Sequence, residues 1–165
     1  MQGEYEDALA ALQHSGWAVE AQSPPLPLPA TVKARYRWIP TELEQFVTET
    51  RLIVSPGARA WILGISDFAG SSSAAFSWDE WERQSLDAAT GDAELTAAVK
   101  GFWDSHFPLA TSVKSGYAYF ALQQSHGHIV CGEEPEFEET VVVASSFLDL
   151  LKRFAAPDAK FSRWV

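Results

Sequence analysis

What most constrains this chain is residues 102–154, where three strand-like runs are followed at once by an amphipathic helix. Runs at 117–122 and 140–144 alternate or are continuously apolar, with a shorter run at 129–131 between them. Their β-branched and aromatic side chains suit a pleated surface, and Gly116, Gly127 and the Gly132-Glu-Glu-Pro135 cluster mark turns. The helix that follows opens on Ser146, three residues ahead of Asp149 in a capping-box pattern, and puts Phe147, Leu150, Leu151 and Phe154 on one face. Lys152 and Arg153 fall in its last turn, where cations suit the negative end of the helix dipole. A meander closed by a docked helix is the expected folding core.

Upstream, residues 1–22 read as an N-terminal helical segment. Tyr5, Ala8, Leu9 and Leu12 share a face over 4–15, and Gly16 stops the helix. Residues 23–29, SPPLPLP, carry four prolines and can be neither helix nor central strand, so they read as an extended connector. Residues 30–165 then form the core of a single domain. Residues 30–36 suit a short helical turn. Thr41 with Glu44 repeats the capping-box pattern ahead of Leu43, Phe46 and Val47, and Ser55-Pro56-Gly57 is a turn. Residues 60–65 read as a buried strand, and 69–75 as a small-residue loop. Ser77 and Glu80 promise a third capping box, with Phe76 and Trp81 as its hydrophobic staple. Gly91-Asp92 separates that helix from another carrying Leu95, Val99, Phe102 and Trp103 on one stripe. Helices and strands are grouped rather than alternating, which points to an α+β fold with an antiparallel sheet.

Charge narrows the function. With 22 acidic against 12 basic residues the chain carries a net charge of −10, so a phosphate backbone is an unsuitable ligand and nucleic acid is excluded as a partner. A basic protein partner fits instead. Cys131 is the single cysteine and can form no internal disulfide, which suits a reducing compartment. The opening MQGEYEDALA lacks the basic and apolar regions of a signal peptide, and no apolar run reaches the length of a membrane span. A cytoplasmic protein with no membrane partner is expected.

Chemistry-bearing residues are sparse. His126-x-His128 with Cys131 has zinc-ligand types but no second ligand pair at a usual distance, and Gly127 marks a hairpin tip. A solvated turn beside a small buried thiol accounts for them, so no metal and no cofactor is expected. Gly64-x-Ser66 lacks the glycine that a nucleophile elbow requires. Asp67, Asp79, Glu80 and Glu82 offer carboxylates for acid–base work, against the simpler reading that they cap and solvate a helix. No catalytic residue is assigned. The charge pattern says more: no Lys or Arg lies between Lys114 and Lys152, while Glu133, Glu134, Glu136, Glu138 and Glu139 crowd into seven residues. With Asp67, they are the candidate contacts for a basic partner.

Several short motifs resemble the SUKH superfamily, which groups bacterial toxin-immunity proteins with fungal cell-wall regulators. They are Phe107-Pro108-Leu109 as a strand start, Gly116-Tyr117-x-Tyr119 running to Leu122, and Ile129-Val130 after a turn. An acidic stretch follows, then Ala144-Ser-Ser-Phe147 leading into a Leu-rich helix; Trp61 to Phe68 with Phe76-Ser77-Trp78 is similar to the middle of that domain. The resemblance spans about residues 60–154 and implies a non-enzymatic α+β binding domain, an immunity protein that neutralises a toxin by direct binding. An intracellular regulator or scaffold, and a small hydrolase using acidic residues such as Asp67 and Glu133, are the alternatives.

Overall fold

Every strand of this protein pairs with its neighbours in sequence. The structure, a computed structural model, describes residues 2–165. Helix α1 (Gln2–His14) leads into β1 (Ala18–Ala21); α2 (Ala30–Arg35) and α3 (Thr41–Glu49) precede the hairpin β2 (Thr50–Val54) and β3 (Ala60–Ile62). Three helices, α4 (Ile65–Phe68), α5 (Glu80–Ala88) and α6 (Ala93–Asp104), separate β3 from β4 (His106–Ser112). Strands β5 (Ala118–Gln123), β6 (Ile129–Glu133) and β7 (Thr140–Ala144) follow, then α7 (Phe147–Ala155) and a 3-10 turn over Phe161–Arg163. The result is an α+β fold around one seven-stranded sheet in the order β1 to β7, antiparallel throughout.

Helices cover both faces of that sheet. Leu12 of α1, Phe46 of α3 and Phe147, Leu150 and Leu151 of α7 form one core with Phe107, Phe120, Leu122 and Ile129. On the other face, Trp81 of α5 and Val99 and Trp103 of α6 pack on Tyr119, Ala121, Val130 and Phe137. Strand β5 shows the consequence: Ala118, Phe120 and Leu122 face the first core while Tyr119 and Ala121 face the second. Burial on both faces is why this strand reads as an almost continuous apolar run. Phe147 is wedged between Phe46, at 4.9 Å between ring centroids, and Tyr5, at 6.1 Å. The C-terminal turn completes the first core: Trp164 meets Phe120 edge-on at 5.3 Å, and Ser112 Oγ donates to Trp164 O at 2.6 Å.

The expected sheet is enlarged and corrected in detail. The N-terminal segment contains a strand, β1, as well as a helix. Strand β2 follows α3 without a loop, so no turn residue announces it. Strand β3 stops at Ile62 because the chain turns at Gly64, where a Cβ would collide with the carbonyl oxygen of Thr50, and α4 starts there. Gly132 lies inside β6 rather than in a turn: a Cβ there would strike Phe137 O and the Tyr119 hydroxyl.

The capping boxes also resolve differently. Helix α3 starts from Pro40 with no side-chain cap, because Thr41 is already helical. Helix α5 starts from Asp79, and Ser77 Oγ instead donates to Asp79 Oδ1 at 2.7 Å, although Phe76 and Trp81 do meet at 5.1 Å. On the α6 stripe, Val99 and Trp103 are buried while Leu95 is exposed. Only at α7 does the serine cap form. Asp149 N donates to Ser146 Oγ at 3.1 Å, and the Asp149 carboxylate accepts from Ser145 N, one residue earlier than the motif foresees.

Candidate protein-binding surface

The acidic run joins β6 to β7, and the fold uses more than half of it internally. Glu133 Oε1 accepts from Arg163 Nη2 at 2.8 Å and from the Trp164 indole at 3.2 Å. Glu134 Oε1 accepts from Tyr117 N at 3.0 Å, and Glu138 Oε1 accepts from the Trp103 indole at 2.8 Å. Between them Phe137 turns inward, stacked on Trp81 at 5.4 Å, with its carbonyl accepting from the Tyr119 hydroxyl. The loop is therefore held by a buried ring and three carboxylates rather than left as a solvated tip. Glu136 and Glu139 differ: both are exposed and neither enters an ion pair among the described residues.

Asp67 stands elsewhere. It lies on α4, just after β3, and β4 and β5 separate β3 from the strand that carries Glu133. Its carboxylate is buried, accepts from Gly64 N at 2.9 Å and holds the start of the short helix. Burial raises its pKa above the usual carboxylate value despite the hydrogen bonds it accepts. It is not part of an acidic face shared with the β6–β7 loop.

Two exposed carboxylates, Glu136 and Glu139, are left without a partner among the described residues, and the loop delivers them to an open strand. Strand β7 pairs with β6 on one side and, among the described residues, with no strand on the other. Its Val143 and Ala144 are buried, but Val141 and Val142 are each 57% exposed, and they oppose Cys131 and Val130 of β6 respectively. Consecutive strand residues face opposite sides of a sheet, so apolar surface is left uncovered on both faces at this edge. An unpaired strand with β-branched side chains is a template for an incoming strand, whose main chain would supply the missing hydrogen bonds. Glu139 directly precedes β7, and Glu136 is three residues further back, so the open edge begins beside negative charge.

No family model, curated protein or solved structure matches the chain. The remaining candidates are judged on geometry alone. His126 and His128 are exposed on the β5–β6 turn with rings 6.3 Å apart, whereas Cys131 is buried in the first core, so the three do not converge. Burial pushes the Cys131 thiol up to about 12, leaving it protonated at neutral pH. Ser66 Oγ donates to Arg51 O at 2.7 Å, a main-chain acceptor rather than a side-chain base. Glu82 is clamped by both terminal nitrogens of Arg35, at 2.7 and 2.8 Å, while Arg35 Nε reaches Asp104 at 2.8 Å. Hydrogen bonding to Glu82 raises the Arg35 pKa further, so this is a fixed ion pair joining α2 to α5 and α6. Asp79 and Glu80 serve the start of α5 through Ser77 and Arg83. Among the described residues no helix is long and apolar enough to cross a membrane.

Sequence reasoning did not single out Val141 and Val142, because a run such as TVVVA suits an interior strand equally well. Only the sheet order reveals that it is an edge.

Proposed function

We propose that this chain is a non-enzymatic binding domain, an immunity protein of the SUKH kind that acts in the cytoplasm and neutralises a basic toxin domain by direct binding. The observation that carries the reading is the open edge of β7, with Val141 and Val142 exposed and Glu136 and Glu139, in no ion pair among the described residues, leading into it. A toxin strand aligned on β7 would gain main-chain hydrogen bonds, bury the two valines and bring Lys or Arg side chains to the two carboxylates. Binding of this kind disables a toxin by covering its site and requires no chemistry from the immunity protein.

Co-expression with basic toxin domains encoded beside this gene tests the proposal. The expected result is restored growth and a complex that survives purification; failure with every such domain would overturn it. Electrostatics gives a second readout. Glu136→Lys with Glu139→Lys slows association at low salt, and the deficit shrinks as the Debye length falls to about 8 Å at physiological ionic strength. Glu138 is left out of that pair because it holds Trp103.

A further inference from the structure

At the far end of the sheet from β7, a cleft of about 390 Å³ opens between α1, α3 and the chain that follows β1. The side chains of Tyr5, Leu9 and Phe46 line its apolar part, with the Tyr5 and Phe46 rings 6.0 Å apart and inclined at 47°. The connector forms one wall and is fastened to α3, Gln22 N donating to Glu49 O at 2.7 Å and Leu26 N to Thr48 O at 3.2 Å. The cleft is thus a walled, preformed space rather than a flat face, and its volume falls in the range of about 300–1,000 Å³ typical of small-molecule sites.

Its charge is one-sided. Glu6, Glu42 and Glu49 all line it, and no Lys, Arg or His does. None of the three enters an ion pair among the described residues; the Glu49 carboxylate accepts from Gln45 Nε2, at 3.0 Å. Burial, with the charges of Glu42 and Glu4, holds the Tyr5 hydroxyl protonated. Apolar walls strengthen the field of nearby carboxylates, and an aromatic face adds attraction for a cation.

We propose that this cleft binds a small organic cation, an amine with a flat apolar body that lies against Tyr5, Leu9 and Phe46 while its ammonium group meets Glu6 and Glu42. A neutral molecule of the same shape would gain the apolar contact alone, and an anion would be repelled. The site shares no residue with the β7 edge, and the two stand or fall separately.

The test uses the full chain and three probes of one shape: tryptamine, tryptophol and indole acetate, carrying a positive, a zero and a negative charge. Amide NMR shifts are followed as each is titrated. The expected result is saturable shifts in α1 and α3 with tryptamine, binding about tenfold weaker with tryptophol (about 1.4 kcal/mol), and none with indole acetate. Glu6→Gln with Glu42→Gln should bring tryptamine down to the level of tryptophol, with thermal melting confirming that the variant is folded. Equal binding of the three probes would overturn the proposal, as would tryptamine shifts that never saturate or that map away from the cleft. So would a folded double variant that keeps the full preference for tryptamine.

Discussion

Strands β1 and β7 end the same sheet on opposite sides, and they differ in charge and in the proline that follows. Strand β1 is four residues long, carries an irregularity between Glu20 and Ala21, and places Glu20 within 3.5 Å of Arg51. Two prolines, Pro24 and Pro25, follow it closely. Short length, charge, irregularity and proline are the devices by which proteins keep an edge from pairing. Strand β7 has an irregularity of its own, Val143 being skipped where Ile129 pairs with Ala144 and Val130 with Val142, but its five residues, TVVVA, include no charge and no proline, and its two exposed residues are valines. Under the proposed function, the edge that lacks charge and proline is the one a partner covers, and Glu136 and Glu139 lie beside it.

The largest effect that bears on this contrast concerns what holds β7 in place. Phe147 anchors α7, which follows β7 directly, and it is buried between Phe46 and Tyr5. Phe147→Ala should cost about 3–5 kcal/mol through lost burial and the cavity left behind. Urea unfolding measures it, and a loss under about 1 kcal/mol would mean that the helix beneath the open edge is not docked.

Next comes the division within the acidic loop. Glu138→Ala leaves the buried Trp103 indole N–H without its acceptor and should cost about 1–3 kcal/mol. Glu136→Ala should stay within about 0.5 kcal/mol, because its carboxylate supports nothing in the fold. Equal losses in the same unfolding experiment would erase the distinction between carboxylates that build the loop and carboxylates that face outward.

The smallest effects separate two capping carboxylates by sign. For Asp149, beside β7, burial pushes the pKa up, but hydrogen bonds from Ser145 and Arg153 outweigh it and the net shift is downward. Its stabilisation is therefore present above the ordinary carboxylate range and is lost as pH falls through its depressed pKa. Asp149→Asn should lower the melting temperature at neutral pH, with the difference closing in acid. Asp67 is shifted upward by burial, so its contribution is present in acid and is lost as pH rises through its raised pKa. Asp67→Asn should gain on the unmodified protein as pH rises from acid to neutral. Melting temperatures across that range check both signs.

What could be read in advance follows from how local each signal is. Strands β5, β6 and β7 and helix α7 carry their pattern and turns within a few residues, and the structure places them where the pattern does. Strand β4 was harder to see because Pro108 argues against a central strand; a register shift between Pro108 and Ala110 accommodates it. Strand β1 is short and largely exposed, so it shows no clean alternation. The acidic run was visible as charge, but its internal use was not. Glu138 meets Trp103, and Glu133 meets Arg163 and Trp164, across at least 30 residues of chain. Partnerships of that kind exist only once the sheet is assembled.

The most direct test of the open edge is hydrogen exchange at the amides of β7 in the presence of a basic strand-forming probe, an alternating lysine–valine peptide. Strand addition predicts slowed exchange across residues 140–144 with β1 unchanged. It also predicts that Val142→Lys, which gives β7 a charge of the kind that guards β1, abolishes the protection while leaving the fold intact. Protection at β1, or none at β7 under conditions where the peptide binds, would contradict it.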